Sequence, residues 1–134
     1  MKDIITLYYC GKCGSCLKTK TWLENQGLNV KKKKISEISE EDLFLLLALT
    51  DRGLEEIIKF KGKWNRQNLQ SSFHFNEWTL TECVQFLIYH TEFLQCPIII
   101  DQTKYMTGYN PDDIRKFLPK SRRKIERVIR GYKP

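Results

Sequence analysis

Long apolar runs are missing from this 134-residue sequence, and none approaches the ~20 residues that cross a bilayer as a helix. No signal peptide precedes Ile4, and the chain has neither internal repeats nor low-complexity segments. These absences argue against a membrane protein or a repeat array. From the length and these absences we expect a single domain over residues 1–134, with no membrane partner.

Histidine is scarce, which weakens the case for a metal site. His74 and His90 are the only two, and neither they nor Cys83 and Cys96 have the spacing of a ligand pair. A cluster of three further cysteines resembles the start of a ferredoxin cysteine run, but the fourth cysteine of such a run is absent. The sequence therefore predicts no bound metal and no cofactor.

Cysteine itself occurs five times, an odd number. In a chain without a secretory signal, clustered cysteines indicate a reducing compartment and thiol chemistry rather than a framework of structural disulfides. Basic residues outnumber acidic ones by 23 to 16, which gives a net charge of +7. A basic surface of this kind favours nucleic acid or an acidic protein as the partner.

The clustered cysteines, Cys10, Cys13 and Cys16, form two overlapping Cys-x-x-Cys pairs. They follow the apolar run 4–9, which we predict to be a buried strand, and precede a predicted helix over 16–26. A Cys-x-x-Cys pair between a strand and a helix is the thioredoxin-like context of a redox dithiol, because a helix N-terminus favours a thiolate. We favour Cys13 as the attacking thiolate, Cys16 as the resolving thiol and Cys10 as a spare at the strand end.

Two other interpretations of the cluster stay open. The cysteines could be small buried hydrophobic residues, although their glycine and lysine neighbours favour an exposed turn. They could instead bind zinc, which would need a fourth ligand from Cys83, Cys96, His74 or His90.

The rest of the chain predicts an α/β fold in two halves. Residues 4–35 are predicted to form a βαβ unit, and residues 39–90 a helical middle part with N-caps at Ser39 and Thr79. A buried strand after Cys96, a hairpin-like return strand over 105–109 and a final helix capped by Asn110 complete a ββα half. This order predicts a thioredoxin-like fold with a helical insertion between the two halves.

Three basic segments have competing interpretations. The four lysines 31–34 favour an exposed edge strand over a binding site. Residues 60–75 interleave basic and aromatic side chains, as in single-strand nucleic-acid binders, but we favour a linker whose aromatic rings pack onto the core. The tail 120–134 carries seven basic residues and one acidic residue. It is predicted to be a marginal helix, which either becomes ordered on a partner or simply stays solvated.

Several motifs, read in order, are similar to those of one family. A Thr-Leu-Tyr strand precedes the Cys13–Cys16 pair, and a Thr-Asp-Arg-Gly turn ends at Gly53. The motifs Pro-Ile-Ile-Ile-Asp at 97–101, Gly-Tyr-Asn at 108–110 and Phe-Leu-Pro at 117–119 follow. Over roughly residues 4–120 the chain resembles the Spx branch of the arsenate reductase-like family.

The resemblance implies a cytoplasmic, redox-sensing transcription regulator. Members of this branch bind the C-terminal domain of the RNA polymerase α subunit, and their Cys-x-x-Cys pair, here Cys13 and Cys16, forms a disulfide under thiol oxidation. Gly53 falls where the family contacts polymerase, and Lys61 and Lys63 fall at basic positions near that surface. Promoter DNA is reached only through polymerase, and we expect a monomer.

Some positions depart from the family pattern. Gln95 and Cys96 stand where arginines usually precede the Pro-Ile-Ile-Ile-Asp strand, and Ala48 replaces a residue that is often basic. If Pro97 is cis, as a thioredoxin-like fold implies, Cys96 could lie close to Cys13. We therefore expect Cys10 and Cys96 as possible additional redox thiols.

An enzyme of the arsenate reductase type is the alternative. Such enzymes use one nucleophilic cysteine and three arginines that hold the oxyanion, since guanidinium groups pair bidentately with oxyanions. The matching positions here are Lys61, Gln95 or Cys96, and Tyr109. One cation remains where three are needed, so the sequence favours the regulator over a thiol-dependent oxidoreductase.

Overall fold

A four-stranded mixed sheet organises the fold, with its strands in the order β2-β1-β3-β4. β1 and β2 are parallel, whereas β3 is antiparallel to both β1 and β4. The strands are β1 (Ile5–Tyr9), β2 (Val30–Lys34), β3 (Ile98–Ile100) and β4 (Tyr105–Thr107).

The structure is a computed structural model that describes residues 4–11, 13–60, 65–74 and 77–119. The predicted partner-contact positions Lys61 and Lys63 lie outside these residues, as does the predicted basic tail 120–134.

The described residues form five α-helices beside the sheet. They are α1 (Gly14–Asn25), α2 (Glu40–Leu49), α3 (Leu54–Ile57), α4 (Arg66–Phe73) and α5 (Leu80–Tyr89). Short 3-10 helices span Ile35–Glu37, Thr91–Phe93 and Asp113–Phe117. Helix α1 connects β1 to β2, and α2 to α5 follow before the chain returns to the sheet at β3.

Both faces of the sheet are covered, because alternate side chains of its central strands enter two different apolar clusters. Tyr8 and Ile98 face the helical middle part and pack with Leu46 of α2 and Leu87 of α5. Leu7, Ile99 and Met106 face the other side, where Leu23 of α1 and Ile114 of the last 3-10 helix cover them. Two-sided burial explains why the sequence of β1 is apolar throughout rather than alternating.

The predicted edge strand is confirmed, since β2 pairs only with β1 among the described strands. Lys31, Lys32 and Lys34 are exposed there. Charged side chains on an edge strand discourage pairing with another chain. Lys32 also forms an ion pair with Glu24 of α1, at 2.6 Å between Nζ and Oε1.

Side-chain caps fix the starts of the long helices in the middle part. Ser39 accepts a hydrogen bond from the Asp42 backbone N–H, and Thr79 forms the predicted reciprocal capping box with Glu82. The Tyr8 hydroxyl donates to the Asp42 carboxylate and so connects α2 to the central strand β1. Burial and this hydrogen bond raise the pKa of Tyr8 to about 12.

Two predictions about local structure were wrong. Residues 60–75 are not simply a linker, because Arg66–Phe73 forms α4 with Asn65 as its N-cap. The segment after Asn110 is a 3-10 helix rather than an α-helix. Asn110 still caps it, since its side-chain oxygen accepts from the backbone N–H groups of Asp112 and Asp113.

Asp101 terminates β3 with a buried carboxylate. Its Oδ1 accepts from the backbone N–H groups of Thr103 and Lys104, and its Oδ2 lies 2.7 Å from the Lys104 ammonium. Burial alone would raise the pKa of Asp101, but the bonds from Lys104 and Thr103 outweigh it, so the pKa is lower than usual. The hydrogen bonds hold the turn between β3 and β4.

We expect Asp101→Asn to lower the free energy of unfolding by about 1–3 kcal/mol at pH 7, since the buried carboxylate oxygen that faces the Lys104 ammonium is replaced by an N–H donor. A depressed carboxyl pKa contributes stability above the unfolded value, ~3.9, and loses it as pH falls through the folded value. The difference from wild type should therefore shrink below about pH 4. Urea unfolding at several pH values measures this.

Asp113→Asn is the matched control, because Asp113 pairs with Lys116 at the same i,i+3 spacing but is exposed. Its effect should stay within about 0.5 kcal/mol. An Asp101→Asn loss no larger than that of the control would contradict the prediction.

A candidate thiol site between β1, α1 and β3

Four of the five cysteines lie around one cleft at the edge of the central strands. Cys10 directly follows β1, Cys13 is the N-cap of α1, Cys16 lies in the first turn of α1, and Cys96 lies two residues before β3. Cys83 is the exception, since it packs in the apolar core from α5. All five are free thiols.

The antiparallel pairing of β1 with β3 brings Cys10 opposite Cys96. Thr6 pairs with Ile100 and Tyr8 with Ile98. Cys10 lies two residues after Tyr8, and Cys96 lies two residues before Ile98. Continued by two residues, the same register therefore places Cys10 opposite Cys96. The Cys96–Pro97 peptide bond is cis, as the sequence hypothesis required.

Cys10 and Cys16 are in direct contact. Their Sγ atoms are 3.8 Å apart, and the Cys10 backbone N–H donates to the Cys16 Sγ at 3.4 Å. The Sγ of Cys96 completes a group of three sulfurs that all lie within 4.8 Å of one another. The strand end and the first turn of α1, which are neighbours in sequence, thus meet the distant segment before β3 at one point.

Cys13 differs from its neighbours because it is half-buried and stands at the start of α1, where unpaired backbone N–H groups favour an anion. Partial burial raises the pKa of the Cys13 thiol. Hydrogen bonds from the thiol and backbone N–H of Cys16, from the Cys10 thiol and from the Ser15 N–H outweigh that effect. The net result is a lowered pKa.

The pKa values of the Cys16 and Cys96 thiols are raised, in contrast to that of Cys13. Burial raises the pKa of Cys16, and the neighbouring thiols of Cys13 and Cys10 add to the rise. Burial, followed by the proximity of Cys10, raises the pKa of Cys96 to about 12. Near neutral pH the cleft therefore holds one thiol suited to be the nucleophile, Cys13, and two protonated partners.

The cations around the cleft are lysines. Lys18 and Lys59 line it beside Cys13 and Cys96, together with Gln95. Among the described residues no arginine lines this cleft. The bidentate arginine groups that hold an oxyanion are thus missing from the described wall.

A family model and known proteins are similar to this chain in sequence. The ArsC family model matches residues 8–117. The protein named global transcriptional regulator Spx 2 from Bacillus anthracis is 34% identical over 120 residues, covering 88% of this chain and 89% of that protein. Global transcriptional regulator Spx from Lactiplantibacillus plantarum is 31% identical over 125 residues, covering 92% of each.

This chain belongs to the ArsC family, in its Spx branch. Solved structures support the fold. An arsenate reductase from Vibrio cholerae superposes with a TM-score of 0.66 at 19% identity, over 88% of this chain and all (100%) of that one. A possible arsenate reductase from Streptococcus mutans UA159 superposes with a TM-score of 0.67 at 17% identity, over 84% of this chain and 98% of that one. The predicted thioredoxin-like α/β fold is confirmed.

The Spx-branch site includes a contact that sequence reasoning missed. Cys10 was expected to be a spare, but its sulfur contacts that of Cys16. Cys96 was expected near Cys13, and the structure places its sulfur with those of Cys10 and Cys16. The signal that could have revealed this was the strand register, which local spacing does not contain.

A second feature of this Spx-branch chain is the turn at Gly53, the position that the family resemblance assigns to partner contact. Gly53 has a φ of +67° and is the N-cap of α3. The Glu56 carboxylate accepts from the backbone N–H groups of Asp51 and Arg52, at 2.8 and 3.0 Å. The hydrogen bond from Arg52 is the main reason why the pKa of Glu56 is lowered.

Helix α3 connects this turn to the thiol cleft. The Ile57 carbonyl at its C-terminal end accepts from the backbone N–H of Gln95, at 2.8 Å. The Lys59 N–H donates to the Phe93 carbonyl at 2.7 Å. These bonds hold the segment before Cys96 against the segment that follows α3.

Within the described parts of the chain, no helix combines the length and apolarity needed to span a membrane.

We expect Cys13 to be alkylated before the other four cysteines when reduced protein meets limiting iodoacetamide. It is more exposed than Cys16 and its thiol pKa is lowered, whereas those of Cys16 and Cys96 are raised. Its modification rate should reach half of its maximum below pH ~8.5, the ordinary cysteine value. Fragment-ion mass spectrometry resolves Cys13 from Cys16. Equal early labelling of both would contradict the prediction.

Proposed function

We propose that this chain is a redox-sensing transcriptional regulator that binds the C-terminal domain of the RNA polymerase α subunit. A disulfide between Cys13 and Cys16 switches that binding. The observation that carries the proposal is the half-exposed Cys13 thiol at the start of α1, with the Cys16 thiol in the first turn behind it. The names of the Spx relatives supply the transcriptional role.

The chemistry needs an oxidant and two thiols. A hydroperoxide such as H₂O₂ transfers one oxygen to the Cys13 thiolate, which becomes a sulfenic acid while hydroxide leaves. The Cys16 sulfur then attacks the sulfenic sulfur. The S–S bond forms, the S–O bond breaks, and the hydroxyl departs as water with the Cys16 proton. Two electrons have passed from the two sulfurs to the peroxide.

The proposed partner surface is centred on the Gly53 turn. Asp51 and Arg52 are exposed beside it, and the Glu56 carboxylate holds their backbone in place. A preorganised turn loses little conformational entropy when it docks, which favours binding. Lys61 and Lys63 are proposed to extend this surface with positive charge. Promoter DNA is contacted only through polymerase, and the regulator acts in the cytoplasm as a monomer.

The cleft supports a regulator better than an arsenate reductase. Catalysis on an oxyanion needs donors placed where charge develops. The cations that line the described cleft are all lysines, and a lysine acts as a single point charge rather than as a planar bidentate donor. Cys96, which is partly buried, stands at one of the positions that the resemblance matches to an oxyanion-binding arginine of the reductases.

The decisive experiment measures binding to the isolated polymerase α C-terminal domain, with the chain reduced and with the chain oxidised by diamide. We expect affinities that differ at least about fivefold, the lower end of allosteric coupling. Cys13→Ser should bind the same with or without oxidant, whereas the core variant Cys83→Ser should keep the wild-type difference. Equal binding by both wild-type states would refute the switch, and arsenate turnover with glutathione would favour the reductase.

Gly53→Ala and Gly27→Ala form a matched pair that tests the docking surface. Both glycines have a positive φ, +67° and +66°, and open space where a Cβ would lie. Each alanine should cost about 1–2 kcal/mol of folding stability, because L-residues are strained in this region.

Only Gly53→Ala should also weaken binding to the polymerase domain, by several-fold, since Gly27 lies at the far end of α1. Titration calorimetry with both variants measures this. The docking assignment fails if the two variants bind equally well.

A further inference from the structure

The three converging sulfurs of Cys10, Cys16 and Cys96 have a geometry that the redox function does not require. A Cys-x-x-Cys switch uses two sulfurs from one turn. Here a strand end, a helix and the segment before β3 each supply one, and all three lie within 4.8 Å of one another. The register of β1 with β3 holds Cys10 opposite Cys96 in the unbridged protein.

The spacing matches that of thiolate ligands around one ion. Zinc–sulfur bonds of ~2.3 Å at tetrahedral angles place two ligand sulfurs ~3.8 Å apart. The Cys10 and Cys16 sulfurs are already 3.8 Å apart. Cys96 would need only a small side-chain adjustment to complete such a set.

The surroundings also suit a soft cation. Cysteine ligands bind a metal ion as thiolates, so the ion would release the thiol protons and its positive charge would compensate the thiolates. The Cys10 backbone N–H already donates to the Cys16 sulfur, the kind of outer-shell bond that orients a ligand thiolate. Lys18 and Lys59 would balance the remaining negative charge of a tris-thiolate zinc site.

We propose that Cys10, Cys16 and Cys96 form a three-thiolate binding site for Zn²⁺, with its fourth position open to the cleft. Cys13 is not one of the three convergent sulfurs and stays free for oxidation chemistry. Thiolate ligands select soft and borderline ions, so Cu⁺ and Cd²⁺ are the competing occupants and Mg²⁺ and Ca²⁺ are excluded. The site rests on the sulfur geometry alone and does not depend on the proposed function.

The test titrates the full, reduced chain with Zn²⁺ under anaerobic conditions against a chromophoric zinc chelator. We expect one ion per chain. Cys10→Ser, Cys16→Ser and Cys96→Ser should each weaken binding by more than about 100-fold, since even outer partners of ligands contribute about 10–100-fold. Cys13→Ser and the core variant Cys83→Ser should stay within about threefold of wild type.

Two further measurements separate a lost ligand from a lost fold. Far-UV circular dichroism should be the same for all five variants without metal. Zn²⁺ should raise the melting temperature of wild type and Cys83→Ser but not of Cys96→Ser, because only a native-state site stabilises by binding. Co²⁺ should give an intense thiolate-to-metal charge-transfer band in wild type that the Cys96→Ser variant lacks.

Three results would overturn the site. Wild type could bind less than one ion per chain, Cys96→Ser could bind as tightly as wild type, or Cys13→Ser could weaken binding as much as Cys10→Ser does. The last outcome would assign the ion to the Cys-x-x-Cys pairs instead. Polymerase-domain binding tests the proposed function separately, so the two can fail independently.

Cys16 is both a ligand in the proposed zinc site and a partner in the proposed Cys13–Cys16 disulfide. The ion and the disulfide therefore exclude each other, a consequence that rests on the proposed function. Diamide takes two electrons from the two sulfurs and two protons from the Cys13 thiol and from water, so that its N=N bond becomes the N–N bond of a hydrazine. The S–S bond forms as the Zn–S bond of Cys16 breaks, and a disulfide sulfur is no longer a thiolate ligand. We expect one Zn²⁺ released per disulfide formed, measured by the chelator and by intact mass. A disulfide that forms with the ion retained would show that Cys16 is not a ligand.

Discussion

The antiparallel register between β1 and β3 is the constraint on which the site depends. With Tyr8 opposite Ile98 at the centre of the sheet, the chain must leave β1 at Cys10 beside the point where it enters β3 from Cys96. A slip of one residue would turn every side chain of β3 to the other face, where it would disturb the packing of the apolar cluster on that side. The two apolar clusters, one on each face, therefore hold the sulfurs in position.

The charged groups that line this cleft in the described residues are lysines, whereas an oxyanion site of the arsenate reductase type uses arginines. The start of α1 and the hydrogen bonds from neighbouring groups favour a thiolate at Cys13, while burial raises the pKa of the Cys16 and Cys96 thiols. A site with one reactive sulfur and protonated neighbours is suited to forming disulfides. Fold similarity to arsenate reductases therefore does not carry their chemistry over to this chain.

Local features of the fold were predictable from the sequence because they depend on a few neighbouring residues. The caps at Ser39 and Thr79, the left-handed Gly53 and the lysine-rich edge strand all follow from such signals. Helix α1 begins at Gly14, two residues before its predicted start, because Cys13 acts as the N-cap without a side-chain cap bond.

Other features were not predictable because they depend on tertiary packing. The α4 helix over Arg66–Phe73 has only eight residues, too few to be stable alone, and is supported by Leu69 and Phe73 against the core. The final helix is 3-10 because Ile114 and Phe117, three residues apart, must both face the sheet. The meeting of Cys96 with Cys10 and Cys16 needs the strand pairing, which no local pattern of residues contains.

Helix α3 has only four residues, about 6 Å of axial length at 1.5 Å per residue. Its first end is anchored at Gly53 and its last carbonyl is bonded to the Gln95 backbone beside Cys96. In the proposed switch, a shift of the segment beside Cys96 would therefore reach the Gly53 turn through one helical turn and one backbone hydrogen bond.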